Sequence, residues 1–210
     1  MDYTQVKQIE FRRKFFKMFG ASITAVAADS QQPLLNIQLK SFSWKQDIRV
    51  FGGAGMQQEL MQIKAQKAIA FSGRTFDIID SQNSQVIFQT KRNALKSAFV
   101  RDHWDLQDTA GNKIGVIQET SSALAIARRW LEVLPFGGII ALIFSFIAQT
   151  YDIRLVQAGE EKLAARIVHR KNPFIVKMLL DTSVAAVNFD TRLAVAATAL
   201  LAIDDAAKND

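Results

Sequence analysis

Residues that could carry acid–base or metal chemistry are few and scattered in this chain. Histidine occurs twice, as His103 and His169, and cysteine does not occur. Zinc sites draw most of their ligands from these two residue types at short spacings, and neither histidine belongs to such a motif. The lack of cysteine also excludes disulfides, thiolate nucleophiles and palmitoylation. We therefore expect no metal site and no cofactor, and we interpret both histidines as ordinary residues at strand ends.

A glycine-rich stretch is the one place that suggests nucleotide binding. Residues 52–55 read Gly-Gly-Ala-Gly, and residues 56–59 continue as Met-Gln-Gln-Glu. A phosphate loop requires a Lys-Ser or Lys-Thr pair that opens a helix, and a dinucleotide fingerprint requires a wider glycine spacing. The Gly-x-Ser-x-Gly sequence of esterases is absent as well. The sequence therefore predicts neither nucleotide binding nor ester hydrolysis.

Three aspartates recur in one local pattern and could act as general acids or bases. An aromatic residue precedes and an aliphatic residue follows each of them, in Phe76-Asp77-Ile78, Trp104-Asp105-Leu106 and Tyr151-Asp152-Ile153. Equivalent positions in a repeat usually have equivalent structural roles, such as pairing with basic strand residues or binding turn amides. We therefore predict structural roles for these aspartates and expect that the protein is not an enzyme.

Basic residues are the stronger candidates for function. They cluster where apolar runs end, and the candidate headgroup-binding residues are Lys91, Arg92, Arg128, Arg129, Arg170 and Lys171. Each Lys or Arg near an anionic membrane contributes about 1 kcal/mol of attraction. The formal net charge of +6 favours polyanionic partners, although such a charge also serves solubility. The alternative interpretation is that each cluster is a solvated strand end.

The elements that would position these residues are predicted to be β-hairpins. Each copy of the aspartate pattern opens an alternating apolar run, passes through a polar turn and continues into a second apolar run. The turns fall at residues 80–83, 108–112 and 158–161. This arrangement predicts three hairpins in one antiparallel sheet. Residues 21–51 are predicted to form a further strand pair, in which Gln46-Asp47-Ile48 is a degenerate copy of the pattern.

Residues 131–148 form the most apolar segment, with Glu132 as its one charged residue. A membrane-spanning helix needs about 20 apolar residues, so the segment is somewhat short. It is either a core segment or an apolar insertion that dips into a bilayer. Basic and tryptophan side chains favour the headgroup layer. The candidate membrane-contact residues are therefore Trp130, Phe136, Ile140 and Phe144.

The N-terminal segment, residues 1–20, mixes four phenylalanines with basic residues. It could be an amphipathic segment on a membrane surface, but a first strand or helix of the domain is the favoured interpretation. It has no uninterrupted apolar run of the secretory type, so we expect a cytoplasmic location, with peripheral membrane association as an option.

The C-terminal residues 190–205 are predicted to form a helix that Asp190 or Thr191 caps. Residues 193–203 contain no charge, and a helix that is apolar on every face must be surrounded by protein or lipid. Eleven residues rise about 16 Å, roughly half of a hydrocarbon core, so enclosure by protein is predicted. A closed antiparallel β-barrel around this helix satisfies both the hairpins and the helix.

Hairpins of the Phe76-Asp77-Ile78 type, followed by an apolar helix that ends Leu201-Ala202-Ile203-Asp204, resemble the LURP-one-related family. This family shares its fold with tubby C-terminal domains and phospholipid scramblases. The resemblance covers roughly residues 20–205. It implies that residues 1–210 form one domain, a barrel of about twelve strands around a central hydrophobic helix.

The resemblance also implies functions. Tubby domains bind phosphoinositides through Lys and Arg, whereas scramblases are associated with membranes and with calcium bound just before the final helix. The matching residues 184–192 hold one carboxylate, Asp190, beside Arg192, and calcium needs six to eight oxygen ligands. We therefore expect a non-catalytic, lipid- or membrane-associated module that contacts anionic phospholipids. The alternatives are a scramblase-like membrane protein and a barrel that binds protein or, less favoured, nucleic acid.

Overall fold

The structure is a computed structural model of the chain, and it describes residues 2–14, 22–39, 47–66, 74–92, 103–120, 149–170 and 175–208. Within these ranges the chain forms strands β1 (Gln8–Lys14), β2 (Ser22–Ala27), β3 (Pro33–Leu39), β4 (Asp47–Gly52), β5 (Gln58–Ala65), β6 (Thr75–Asp80), β7 (Val86–Arg92), β8 (His103–Gln107), β9 (Lys113–Glu119), β10 (Gln149–Gln157), β11 (Glu160–Arg170) and β12 (Ile175–Asp181), and helix α1 (Thr191–Lys208). Two short 3-10 helices cover Tyr3–Gln5 and Ala54–Met56.

The twelve strands form one closed antiparallel barrel. Each strand pairs with the next one in the chain, and β1 pairs with β12 to close the ring. The closing ladder runs from Gln8 opposite Asp181 to Lys14 opposite Ile175. Closure satisfies the backbone groups that would otherwise be exposed at two sheet edges. The prediction of a mainly β, closed antiparallel barrel of about twelve strands with a C-terminal helix is therefore confirmed.

The three repeats of the aspartate pattern are the hairpins β6–β7, β8–β9 and β10–β11. The turn between β8 and β9 shows why this sequence reverses the chain. The Asp108 carboxylate accepts hydrogen bonds from the backbone N–H groups of Ala110 and Asn112, at 2.9 and 2.8 Å. Gly111 has a φ of 86°, which a residue without Cβ adopts easily. Hydrogen bonds from Asn112, above all from its side chain, lower the pKa of Asp108.

Alternating side chains of the strands build one hydrophobic core. In β6, for example, Phe76 and Ile78 are buried and the intervening Asp77 is half-buried. The inward residues of the other strands belong to the same core cluster, and so do the apolar residues of α1. Every residue from Leu193 to Ile203 is at most 5% exposed, although a helix on a protein surface leaves one face in solvent.

The N-terminal segment contains β1, which begins at Gln8 and follows the first 3-10 helix. The apolar segment 131–148, predicted to be core or a membrane insertion, lies outside the described residues. Within the described part of the chain, no helix has both the length and the apolar character that a bilayer crossing requires.

Candidate functional site

The barrel has two ends that differ in their connections. At the first, named the turn end, short turns at residues 28–32, 53–57, 81–85, 108–112 and 158–159 join each even-numbered strand to the next. At the second, named the connection end, the odd-numbered strands finish, because neighbouring strands run antiparallel. Residues that end β1, β3, β5, β7, β9 and β11 therefore share one end of the molecule.

The predicted headgroup-binding residues follow this division. Lys91 and Arg92 end β7 and Arg170 ends β11, so these three positions lie at the connection end. Strands β7 and β11 are four strand positions apart in the barrel, which is about 19 Å measured around the ring at the usual strand spacing. The structure thus arranges these residues along a rim rather than in a single pocket. Arg128, Arg129, Lys171 and the four predicted membrane-contact residues Trp130, Phe136, Ile140 and Phe144 lie outside the described ranges.

Lys91 and Arg92 have different surroundings although they are neighbours in the chain. Lys91 is exposed to solvent and is paired in register with Thr75 on one side and Asp105 on the other. The guanidinium of Arg92 lies 5.7 Å from the centre of the Trp104 ring and 3.7 Å from the carboxylate of Asp204. Arg92 therefore links the barrel wall to α1, whereas Lys91 presents its ammonium group to water.

Helix α1 is fixed at its other end by a second ion pair. Arg192 Nη1 lies 2.8 Å from Asp80 Oδ2 at the end of β6, and Arg192 Nη2 lies 2.6 Å from Asp190 Oδ2. Hydrogen bonding to Asp190 raises the pKa of Arg192, so this guanidinium remains charged. Burial raises the pKa of Tyr3, whose side chain packs against the core beside this cluster, to about 12. The first turn of α1 is thus held at the turn end, and Asp204 near its other end is held by Arg92.

The repeated aspartates bind polar side chains of their own or adjacent strands. Asp77 accepts hydrogen bonds from Gln66 and Gln89, both at 2.8 Å. Asp152, which is 1% exposed, accepts a 2.8 Å hydrogen bond from Arg166 on the neighbouring strand. Asp105 lies 3.2 Å from His103 Nε2. Asp77 and Asp152 thus tie neighbouring strands together, whereas Asp105 and His103 belong to the same strand.

The two histidines lie on different strands and in different surroundings. His103 begins β8 and contacts Asp105, while His169 lies in β11 and is 1% exposed. Within the described residues, no three histidine or acidic side chains are grouped closely enough to hold a metal ion. In the stretch before α1, the carboxylate of Asp190 is bound by Arg192 and also accepts the backbone N–H of Arg192, at 2.9 Å. Asp190 is thus the N-terminal cap of α1.

A polar cleft at the turn end was missed by the sequence analysis. It has a volume of about 590 Å³ and lies between the N-terminal segment and the linker that precedes α1. Its lining residues are Thr4, Lys7, Thr182, Ser183, Ala185, Ala186, Val187, Asn188, Phe189 and Thr191. The Thr182 hydroxyl donates to the Lys7 carbonyl at 3.1 Å, which joins the two segments. No local pattern could reveal this cleft, because its two walls are about 175 residues apart in the chain.

Comparison with known proteins adds one finding to this geometry. A family model described as LURP-one-related matches residues 34–202, which is most of the chain and includes β3 through nearly all of the apolar part of α1. A search of the curated proteins finds no match to the chain.

Proposed function

Because the chain belongs to the LURP-one-related family, we propose that it is a non-catalytic binding module that contacts anionic phospholipid headgroups through its basic strand ends. The observation that carries this proposal is the shared location of Lys91, Arg92 and Arg170 at the connection end of the barrel. The sequence adds Lys171 directly after Arg170, and Arg128 and Arg129 after β9. The proposed location is the cytoplasm, peripheral to a membrane.

An interior filled by α1 would favour binding at the rim rather than in the lumen. We infer that α1 runs through the barrel, because residues 193–203 are buried on every face and the helix is bound to the barrel at both ends, by Arg192–Asp80 and Asp204–Arg92. Barrels that bind a small molecule inside need an internal cavity. A barrel that contains its own helix leaves the rim and the outer wall for ligands.

The energetics of such a rim suit reversible attachment. Each Lys or Arg close to an anionic leaflet is attracted by about 1 kcal/mol, and the attraction fades within a Debye length of about 8–10 Å at physiological salt. Several residues that reach the surface together can therefore hold the protein at low salt and release it at high salt. Arg92 contributes less than Lys91 in this arrangement, because Asp204 already neutralises its charge.

Vesicle flotation tests this function directly. We expect the purified protein to float with vesicles that contain anionic lipid at low salt, and to remain in solution with neutral vesicles or at high salt. The double variant Arg128→Glu with Arg129→Glu should weaken the association. Binding of the double variant equal to that of the parent protein would count strongly against the proposal, and an absence of binding under all conditions would refute it.

A scramblase-like membrane protein is the second candidate, and the apolar composition of residues 131–148 favours it. Scrambling would require stable insertion into the bilayer, so binding to every vesicle type at any salt would support this candidate. Release of the protein from membranes by high pH without detergent would argue against it. A nucleic-acid-binding barrel is the third candidate, and failure to bind labelled DNA at low salt would remove it.

A further inference from the structure

The two ends of the barrel differ sharply in charge. The segments that join each odd-numbered strand to the following strand contain ten basic residues and two carboxylates, Asp102 and Glu132. The basic residues are Lys17, Lys40, Lys45, Lys67, Arg74, Lys96, Arg101, Arg128, Arg129 and Lys171. Of these ten residues, Arg74 lies within the described ranges. The other nine enter the argument only through their residue types and through the strands that their segments connect.

The segments at the turn end have the opposite composition. The five turns and the linker from β12 to α1 contain three carboxylates, Asp29, Asp108 and Asp190, and neither lysine nor arginine. The difference extends into the strands. At the turn end β6 finishes with Asp80, and β11 begins with Glu160 and Glu161. At the connection end the described residues Arg74 and Lys91 are exposed and Lys64 is half-exposed.

The basic residues at the turn end do not cancel this difference. Arg192 is bound by Asp80 and Asp190, and Lys113 lies 3.6 Å from Glu161. Lys162 follows two glutamates, and Lys7 lines the cleft. Among the described residues, charge is therefore separated along the barrel axis, with Asp29, Asp80, Asp108, Glu160 and Glu161 at the turn end and Lys64, Arg74 and Lys91 at the connection end. The described carboxylates at the connection end do not reverse this, because Asp47 is paired with Arg49, Asp204 is paired with Arg92 and Glu119 is buried.

We propose that the barrel docks end-on against an anionic membrane, with the connection end toward the lipid and the turn end toward water. This inference rests on the proposed headgroup binding and names the face that performs it. A molecule with separated charge aligns in the field of a charged surface, and the attraction acts on the groups within a Debye length of that surface. The end-on arrangement brings the basic rim to the headgroups together and keeps the acidic turns farthest from them.

The side wall offers little for a barrel that lies flat. Among the described residues, Val156 is the one large apolar side chain that is substantially exposed, at 40%, and it lies near the turn end of β10. The basic residues of the wall share carboxylates: Arg154 and Arg166 both contact Asp152, and Arg12 and Lys177 both contact Glu10. Through the described residues, a flat orientation would therefore present partly neutralised charges and almost no apolar surface to the bilayer.

The first test measures orientation with a fluorescent label. The chain contains no cysteine, so a single Ser22→Cys or Thr109→Cys substitution gives one labelling site. Ser22 begins β2 at the connection end, Thr109 lies in the β8–β9 turn, and both are exposed. With an environment-sensitive label, we expect anionic vesicles to change the emission at position 22 and not at position 109. Equal changes at both positions, or a change at position 109 alone, would overturn end-on docking.

The second test compares two pairs of charge reversals. Arg74→Glu with Lys91→Glu alters the connection end, and Lys113→Glu with Lys162→Glu alters the turn end. Both pairs lower the net charge by the same amount, so a difference between them reports position and not total charge. We expect the first pair to reduce vesicle partitioning at least about 30-fold, since two lost attractions of about 1 kcal/mol give that factor and the new carboxylates add repulsion, and the second pair to reduce it less than threefold.

The outcomes separate this inference from the function on which it rests. Thermal unfolding of both pairs shows whether each variant is folded before its binding is compared. Equal losses from the two pairs would overturn end-on docking while leaving headgroup binding intact. Failure of the parent protein to bind anionic vesicles would refute the proposed function itself, and end-on docking with it.

Discussion

Arg192 Nη1 donates a 2.8 Å hydrogen bond to Asp80 Oδ2, which joins the first turn of α1 to the end of β6. A second contact, 3.7 Å between Arg92 Nη1 and Asp204 Oδ1, joins the same helix to the end of β7. Residues 192 and 204 are about 18 Å apart along a helix axis. The two ion pairs therefore hold α1 near both of its ends, in addition to the packing of its apolar side chains.

Removal of the Arg192–Asp80 contact should destabilise the fold. We expect Arg192→Met to lower the free energy of unfolding by about 1–2 kcal/mol, because Asp80, whose side chain is 13% exposed, loses its charged partner. Chemical denaturation of Arg192→Met, Asp80→Asn and the double variant gives the coupling energy of the pair. Lys113→Met is the control, since its side chain is 45% exposed and its effect should stay within about 0.5 kcal/mol. A coupling energy near zero would contradict the proposed fixing of the helix.

The alanines of α1 provide a test of its enclosure. Ala194, Ala196, Ala197 and Ala199 point in four directions around the helix, and each is at most 1% exposed. If barrel wall surrounds the helix, Leu at any of these positions overpacks the core and should cost about 1–3 kcal/mol, measured by denaturation. A helix with one open face would tolerate the substitution at one of the four. Thr198→Val is the control for substitution without overpacking, because it leaves the volume nearly unchanged and removes only the 2.8 Å hydrogen bond from the buried hydroxyl to the Ala194 carbonyl.

Gly115 allows β9 and β10 to approach closely. A Cβ at this position would lie 2.3 Å from the backbone carbonyl oxygen of Arg154, which cannot move without disturbing the ladder. We therefore expect Gly115→Ala to lower the melting temperature, with a cost of about 1–3 kcal/mol. Gly111→Asn is the matched control, because nothing lies within 4 Å of a Cβ there and asparagine tolerates a positive φ. Equal melting temperatures for the two variants would show that the strands separate without cost.

Acid should destabilise the barrel through Glu59 and Asp181. Burial opposes ionisation of Glu59, but hydrogen bonds from Gln62, Ser81 and Arg49 outweigh it and lower its pKa. Burial of Asp181 is likewise outweighed, chiefly by hydrogen bonds from Ser183. A carboxylate with a lowered pKa in the folded state stabilises the fold above its unfolded pKa and loses this effect as the pH falls through the folded value.

The melting temperature should therefore decrease as the pH drops below the unfolded-state values of 4.5 for Glu59 and 3.8 for Asp181. In Glu59→Gln this decrease should be smaller, because the variant has no proton to gain at that position. Glu160→Gln, on an exposed side chain at the turn end, should follow the parent protein. A pH profile of Glu59→Gln identical to that of the parent would show that Glu59 does not contribute.

Local sequence patterns predicted the hairpins because their causes are local. The Asp108 turn is defined by bonds within five residues, and Phe76 and Ile78 show the period of two that a half-buried strand requires. Pairing of Gln8 with Asp181 has no local cause, since the two residues are 173 positions apart. The closed ring was predicted from the needs of an all-apolar helix and from family resemblance, not from any pattern at its seam.

The candidate site was predictable in part for the same reason. The positions of Lys91 and Arg170 at strand ends can be read from the sequence, and alternation of strand direction then gives them a common end. The surroundings of Arg92 cannot be predicted from the sequence, because they depend on where the fold places Asp204 of α1. The separation of charge along the barrel axis can be recognised only after each segment between strands has been assigned to one end of the barrel.

The pairing of β1 with β12 also determines when this protein can fold during synthesis. Strand β1 ends at Lys14 but its partner β12 ends at Asp181, so the ring stays open until the whole segment from β1 to β12 has left the ribosome. Until then β1 and the growing last strand each present an unpaired edge, and such edges invite pairing with other chains. A chain that stops after β11 therefore lacks the strand that pairs with β1, and its ring cannot close.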